Sequence, residues 1–152
     1  MLRSLKDLFD SLASPAPQGP AREHSIQLAT AVLLVEVMRA DPEITPQERA
    51  SVLQVLRRRF ELAPDELERL VELAEQASRK ASDFHQFTSV VNEHFGQDEK
   101  IRIVEQMWQV AYADGRLEAH ENHVIARVAG LLHVTHGEYI GAKLRAKEAA
   151  SL

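Results

Sequence analysis

"AYADGRLEAHENHVI", residues 111–125, is the stretch on which the reading of the chain turns. An apolar helical segment runs into Asp114-Gly115, and a second segment with an acid in its opening turn follows. Gly115 supplies the backbone freedom for a sharp reversal, and the Asp114 carboxylate is suited to accept amides inside the turn. Glu121 then falls in the first turn of the next helix, where a carboxylate meets unpaired amides and the positive end of the dipole. The same rhythm occurs earlier in "RADPEITPQERASVL", residues 39–53, with Asp41 and Glu48 again seven positions apart. A shift of 73 positions carries Asp41 onto Asp114 and Glu48 onto Glu121. The same shift pairs identical residues at Val37/Val110, Ala40/Ala113 and Val55/Val128, and similar ones at Ile44/Leu117 and Val52/Ile125. It also sets Val35 against Trp108, and after one deletion "FELAPDEL" falls on "LLHVTHGEY". This spacing predicts an internal duplication of a helix–acidic turn–helix unit, with Pro42 stiffening the first turn and Ile44 and Leu117 entering the core.

Outward from these turns the chain reads as helices. Residues 22–40 include "IQLATAVLLVEVM", apolar on several faces, as expected of a helix in the middle of a bundle. Thr45-Pro46-Gln47-Glu48 has the form of a helix start: Thr45 accepts from the N3 amide, Pro46 suits N1, and Glu48 reaches back to the cap. The helix it opens carries Val52, Leu56 and Phe60 on one face. A further helix follows Ala63-Pro64, with Leu67, Leu70, Val71, Ala74 and Ala77 at helical spacing. Asp83 caps the helix of Phe84, Phe87, Val91 and Phe95; Gly96 ends it, and Asp98 opens "EKIRIVEQMWQVAYA". The last two helices are expected over 118–132 and 136–149. No segment alternates as a strand would. The expectation is an all-α, compact bundle of about seven helices built on the duplicated unit. Residues 1–20 stand apart, as an amphipathic helix with Leu2, Leu5, Leu8, Phe9 and Leu12 in a stripe, then the proline-rich linker "SPAPQGP" at 14–20. Residues 21–152 form the main domain.

Composition narrows the function. The 152 residues are 45% hydrophobic and 27% charged, ordinary for a globular chain able to bury its own core. The absence of cysteine excludes disulfide scaffolds and thiol catalysis and fits a reducing, cytoplasmic setting. A net charge of −5 argues against nucleic acid as a partner, because that affinity rests on neutralising phosphates. The one basic run, Arg57-Arg58-Arg59, reads as a solvated helix face. The most apolar stretch, 29–38, is too short to span a bilayer and holds Glu36.

Two readings account for Asp41, Glu48, Asp114 and Glu121. As local structure, they serve the turns and the helix N-termini and need no ligand. As a site, a pseudo-twofold arrangement of the turns would gather four carboxylates into an oxygen-rich cluster for a hard divalent cation such as calcium, whose charge would relieve their repulsion. An EF-hand is excluded, since its ligands alternate along a longer loop and Arg116 stands where an acid is required.

"AVLLVEVMRADPEITPQE" at 31–48, "DFHQFTSVVNE" at 83–93 and above all "MWQVAYADGRLEAHENHVIARVAGLLHVTHGEYIGAKLRA" at 107–146 resemble the TerB-like family, named for a bacterial tellurite-resistance protein. The likeness covers residues 22–149 and extends to "LKDLF" at 5–9. It implies a helical fold built by duplication, a bacterial cytoplasmic setting and a role in stress response, with Asp41, Glu48, Asp114 and Glu121 as metal chelators. The first copy departs from the pattern in carrying Pro42 where the second has Gly115.

Other constellations are weaker. His120 and His123 lie three apart, which is not the four-residue spacing of a zinc helix, and the histidines are expected to be exposed. Trp108, Met107 and Tyr112 read as core. Glu36 and Glu105 are single acids on apolar helices in need of basic partners. No nucleophile elbow or glycine-rich phosphate loop occurs. The reading is a non-enzymatic module that works by binding a protein partner, a divalent cation, or both. Against it stand a peripheral membrane adaptor anchored by residues 1–12, whose polar face is mixed in sign, and a metal-dependent hydrolase, for which no base beyond the carboxylates is present.

Overall fold

The computed structural model describes residues 20–40, 45–81, 83–115 and 119–150. Residues 1–19 of the arm expected over 1–20 lie outside them, as do Asp41, Pro42, Glu43, Ile44, Arg116, Leu117 and Glu118. Among the described residues the fold is all-α, a compact bundle of seven helices with no strand.

Helix α1 (Pro20–Ala40) is the central rod. Every residue from Leu28 to Val35 is buried, because its apolar side chains point in all directions and neighbours close on all of them. Burial of each Leu or Val there contributes about 1.5–3 kcal/mol. Thr30, polar in the middle of that run, donates its hydroxyl to the Ile26 carbonyl at 2.9 Å. Around α1 lie α2 (Pro46–Phe60), α3 (Pro64–Lys80), α4 (His85–His94), α5 (Gln97–Ala111) and α6 (Ala119–Leu131), while α7 (His136–Ala149) packs on α5. The most extensive packings are α1 against α3 and α5 against α7; α1 also meets α2, and α5 meets α6. Two cross-packings, α1 on α6 and α2 on α5, tie these groups together around the α1–α5 contact.

Local chemistry sets the helix ends. Thr45 caps α2 in extended conformation and accepts the Glu48 amide at 3.2 Å, with Pro46 at N1 as its fixed φ favours. Thr135 caps α7 in the same way and Glu138 returns the bond to the Thr135 amide at 2.9 Å, a capping box. Asp83 accepts from the His85 amide at 2.9 Å, so α4 starts one residue after Phe84; Phe84 and Phe95 are its half-buried caps rather than members. Helix α5 starts at Gln97 with Gly96 as cap, placing Asp98 and Glu99 in the first turn. Gly115 has φ 80° and donates its amide to the Tyr112 carbonyl at 2.9 Å, the reversal that glycine permits at low cost.

Candidate functional site

Glu48 and Glu121 hold the same place in their helices, the third residue of α2 and of α6, and both are 0% exposed. Thr45 donates its hydroxyl to Glu48 Oε1 at 3.3 Å while accepting the Glu48 amide. The second carboxylate oxygen of each glutamate is shut off from water. Removing a carboxylate from water costs several kcal/mol unless charge or hydrogen bonds compensate it. A helix N-terminus supplies part of that compensation through its amides and dipole. Asp114 is half-buried in the turn after α5. Glu48, Asp114 and Glu121 each have an interacting partner within the fold. The fourth acid, Asp41, lies outside the described residues.

Among the described residues no three His, Asp or Glu side chains gather closely enough to hold a metal ion. Glu48, Asp114 and Glu121 therefore do not form such a set by themselves. His85, His120, His123, His133 and His136 are exposed as expected, whereas His24 and His94 are half-buried.

The two lone acids found their partners. Ser78, only 4% exposed, donates its hydroxyl to Glu36 and accepts from Arg39. Burial raises the Glu36 carboxyl above the usual range, opposed by the Ser78 hydrogen bond and the Arg39 charge. Glu105 accepts from Arg145 of α7. Trp108 and Met107 are fully buried and Tyr112 nearly so, as expected of core. The Trp108 ring stacks on Tyr112 with centroids 5.8 Å apart, meets Tyr139 at 5.6 Å, and lies 5.0 Å from the Lys143 ammonium.

The basic run needs a correction. Arg57 and Arg58 are exposed, but the Arg59 side chain is only 8% exposed. It donates to Glu99 at 2.9 Å and to Gln106 from two nitrogens at 3.0 and 2.7 Å, with its guanidinium 5.6 Å from the Phe95 ring centre. The signal was present in the spacing, since Arg59 stands seven residues after Val52 and four after Val55, on the buried stripe of α2. Ser78 was visible in the same way, four residues after Ala74 on the buried face of α3. Charge and polarity disguised both.

Arg59, Glu99, Glu105 and Arg145 line a cleft of about 700 Å³ over α5, between α2 and α7. There each of these arginines is matched by an acid. Among the described residues no helix is long and apolar enough to cross a membrane.

Among protein families, the one described as "Tellurite resistance protein TerB" matches residues 27–144, most of the chain. No curated protein and no solved structure matches the chain.

Proposed function

The chain belongs to the TerB family, and from that premise we propose that it is a non-enzymatic cytoplasmic module of a bacterial stress response, tellurite exposure included, acting through a protein partner, a divalent cation, or both. The observation that carries the cation reading is the burial of Glu48 and Glu121, both 0% exposed at the third position of their helices. Two carboxylates sequestered at equal register suit a hard cation, which takes oxygen ligands and neutralises them. Asp41 would complete the set, with Glu48, Asp114 and Glu121 drawn together by the bound cation, whose charge would lock the two turns. The family's description supplies the stress setting.

The two halves are read here as copies of one unit. In support, α1 packs on α2 and α3 as α5 packs on α6 and α7. Val35 and Trp108, which the repeat pairs, are both fully buried.

Calcium, magnesium and manganese titrations of the melting temperature test the cation reading. A ligand that binds only the folded state stabilises it by about 2.7 kcal/mol at 100 times its dissociation constant. Wild type should gain stability with millimolar cation and Asp114→Asn should lose that gain. A wild-type curve that ignores all three ions would sink the site and leave the acids as caps and turn residues.

A further inference from the structure

A second cleft, of about 320 Å³, lies where α1, α3 and α6 meet the segment before α4. Three arginines from three helices line it: Arg39 from α1, Arg79 from α3 and Arg127 from α6. Glu36, Ser78, Asp83 and Phe84 complete its polar and aromatic walls. Two acids share the cleft: Glu36 accepts from Ser78 with Arg39 at 4.0 Å, and Asp83 accepts the His85 amide while keeping its charge. Arg39 is anchored on Ser78, and Arg127 is set 5.5 Å from the centre of the Phe84 ring. Among the described residues neither Arg79 nor Arg127 has an ion-pair partner, as is also true of Arg57, Arg58 and Arg102; what distinguishes Arg79 and Arg127 is that they share one cleft with Arg39. A protein of net charge −5 thus collects three like charges in one concavity with too few counter-charges engaged on them. Three positive charges against the two carboxylates of Glu36 and Asp83 leave the cleft net positive, which attracts an anion, and partial enclosure strengthens that attraction.

We propose that this cleft binds a phosphate group, carried as a small phosphomonoester or as free phosphate. Guanidinium forks match phosphate oxygens in pairs. Arg39 and Arg127, restrained by Ser78 and Phe84, forfeit little freedom on engaging it, while Arg79 closes from the rim. The cleft is at the small end of ligand pockets, which run from about 300 Å³ upward, and so admits a headgroup rather than a large ligand.

The test is a titration of the full chain, isotopically labelled, with O-phosphoserine and separately with inorganic phosphate. Ionic strength is held constant with chloride, and a chelator is present so that no metal mediates binding. Saturable shifts centred on the amides of Ser78, Phe84 and Arg127 are expected. Arg79→Gln, at an exposed helix position, should weaken binding by about tenfold or more, as expected for loss of a charge-assisted hydrogen bond. Arg102→Gln, outside the cleft, should leave it unchanged. Tighter binding of phosphoserine identifies an organic phosphate as the ligand, and equal or tighter binding of inorganic phosphate identifies the free ion. Non-saturable shifts with both probes, or equal weakening by Arg79→Gln and Arg102→Gln, would overturn the proposal.

Discussion

Glu61 and His133 close α2 and α6 in the same left-handed backbone conformation, with φ of 50° and 62°. When the two halves of the sequence are aligned with one deletion, these two residues stand opposite each other. In both places the chain then starts a new helix within three residues, at Pro64 and at His136. At the second, the Val134 amide reaches back to the Ala129 carbonyl at 3.0 Å, a bond that ties off the helix end. A residue with a Cβ pays about 1–2 kcal/mol for that conformation. Glu61→Gly and His133→Gly should therefore each stabilise the protein, by about 0.5–1 kcal/mol once the entropy that glycine adds to the unfolded chain is deducted. Urea unfolding measures it. A loss of stability in either variant would mean that the native side chain contributes more than the strain costs.

Arg59 should behave unlike its neighbours in sequence. Arg59→Ala leaves Gln106 and Glu99 without their donor and uncovers Phe95. Breaking a well-buried pair costs about 3–5 kcal/mol, but Glu99 is 46% exposed, so screening reduces the expected loss to about 1–3 kcal/mol. Arg58→Ala, on the solvent side, should stay within about 0.5 kcal/mol of wild type. Equal effects of the two substitutions would contradict the geometry.

Glu36 predicts a pH dependence. Its folded-state carboxyl is raised above 4.5, chiefly by burial, so the folded state holds the proton more tightly than the unfolded chain does. The stability this group contributes is fully present below 4.5 and is lost as pH rises through the folded value. Glu36→Gln keeps an acceptor for the Ser78 hydroxyl without the charge. It should melt above wild type at neutral pH, and the difference should shrink as pH falls toward 4.5. A difference that stays constant between these pH values would show that Glu36 is fully ionised in the folded protein throughout.

Trp108 should emit as a buried indole, blue-shifted relative to free tryptophan, because no part of it is exposed. Trp108→Ala should cost about 3–5 kcal/mol, the range for removing a large aromatic from a core. Lys143→Met should lose about 0.5–1 kcal/mol if the ammonium over the ring contributes as such contacts do near a surface. Water-exposed emission from native protein would place the indole elsewhere.

Much of this molecule was legible along the chain. The 3–4 spacing of Leu67, Leu70, Val71 and Ala74 marked α3 and its buried face, and the all-round apolar run of α1 marked the central helix. Thr45-Pro46 announced the start of α2 by local chemistry alone. Helix starts were displaced by a residue or two at α4 and α5, where the Asp83 carboxylate accepting the His85 amide and the Gly96 carbonyl accepting the Lys100 amide settled the boundary. Of the candidate site, the sequence indicated Glu48 and Glu121 as first-turn acids but offered no sign that both would be wholly buried.

By itself, then, the sequence determined the helices, the threonine caps of α2 and α7 and the all-α class, because these depend on residues within about four positions of one another. Tertiary structure alone decided who answers whom: Ser78 for Glu36, Arg145 for Glu105, Glu99 for Arg59, each pair separated by about forty residues. It alone brought Arg39, Arg79 and Arg127 to one cleft. The physical reason is that a side chain's charge is written in the chain, but its partner is chosen by which helix faces pack together. Burial and distance, which set the strength of a charge interaction, do not exist until they have packed.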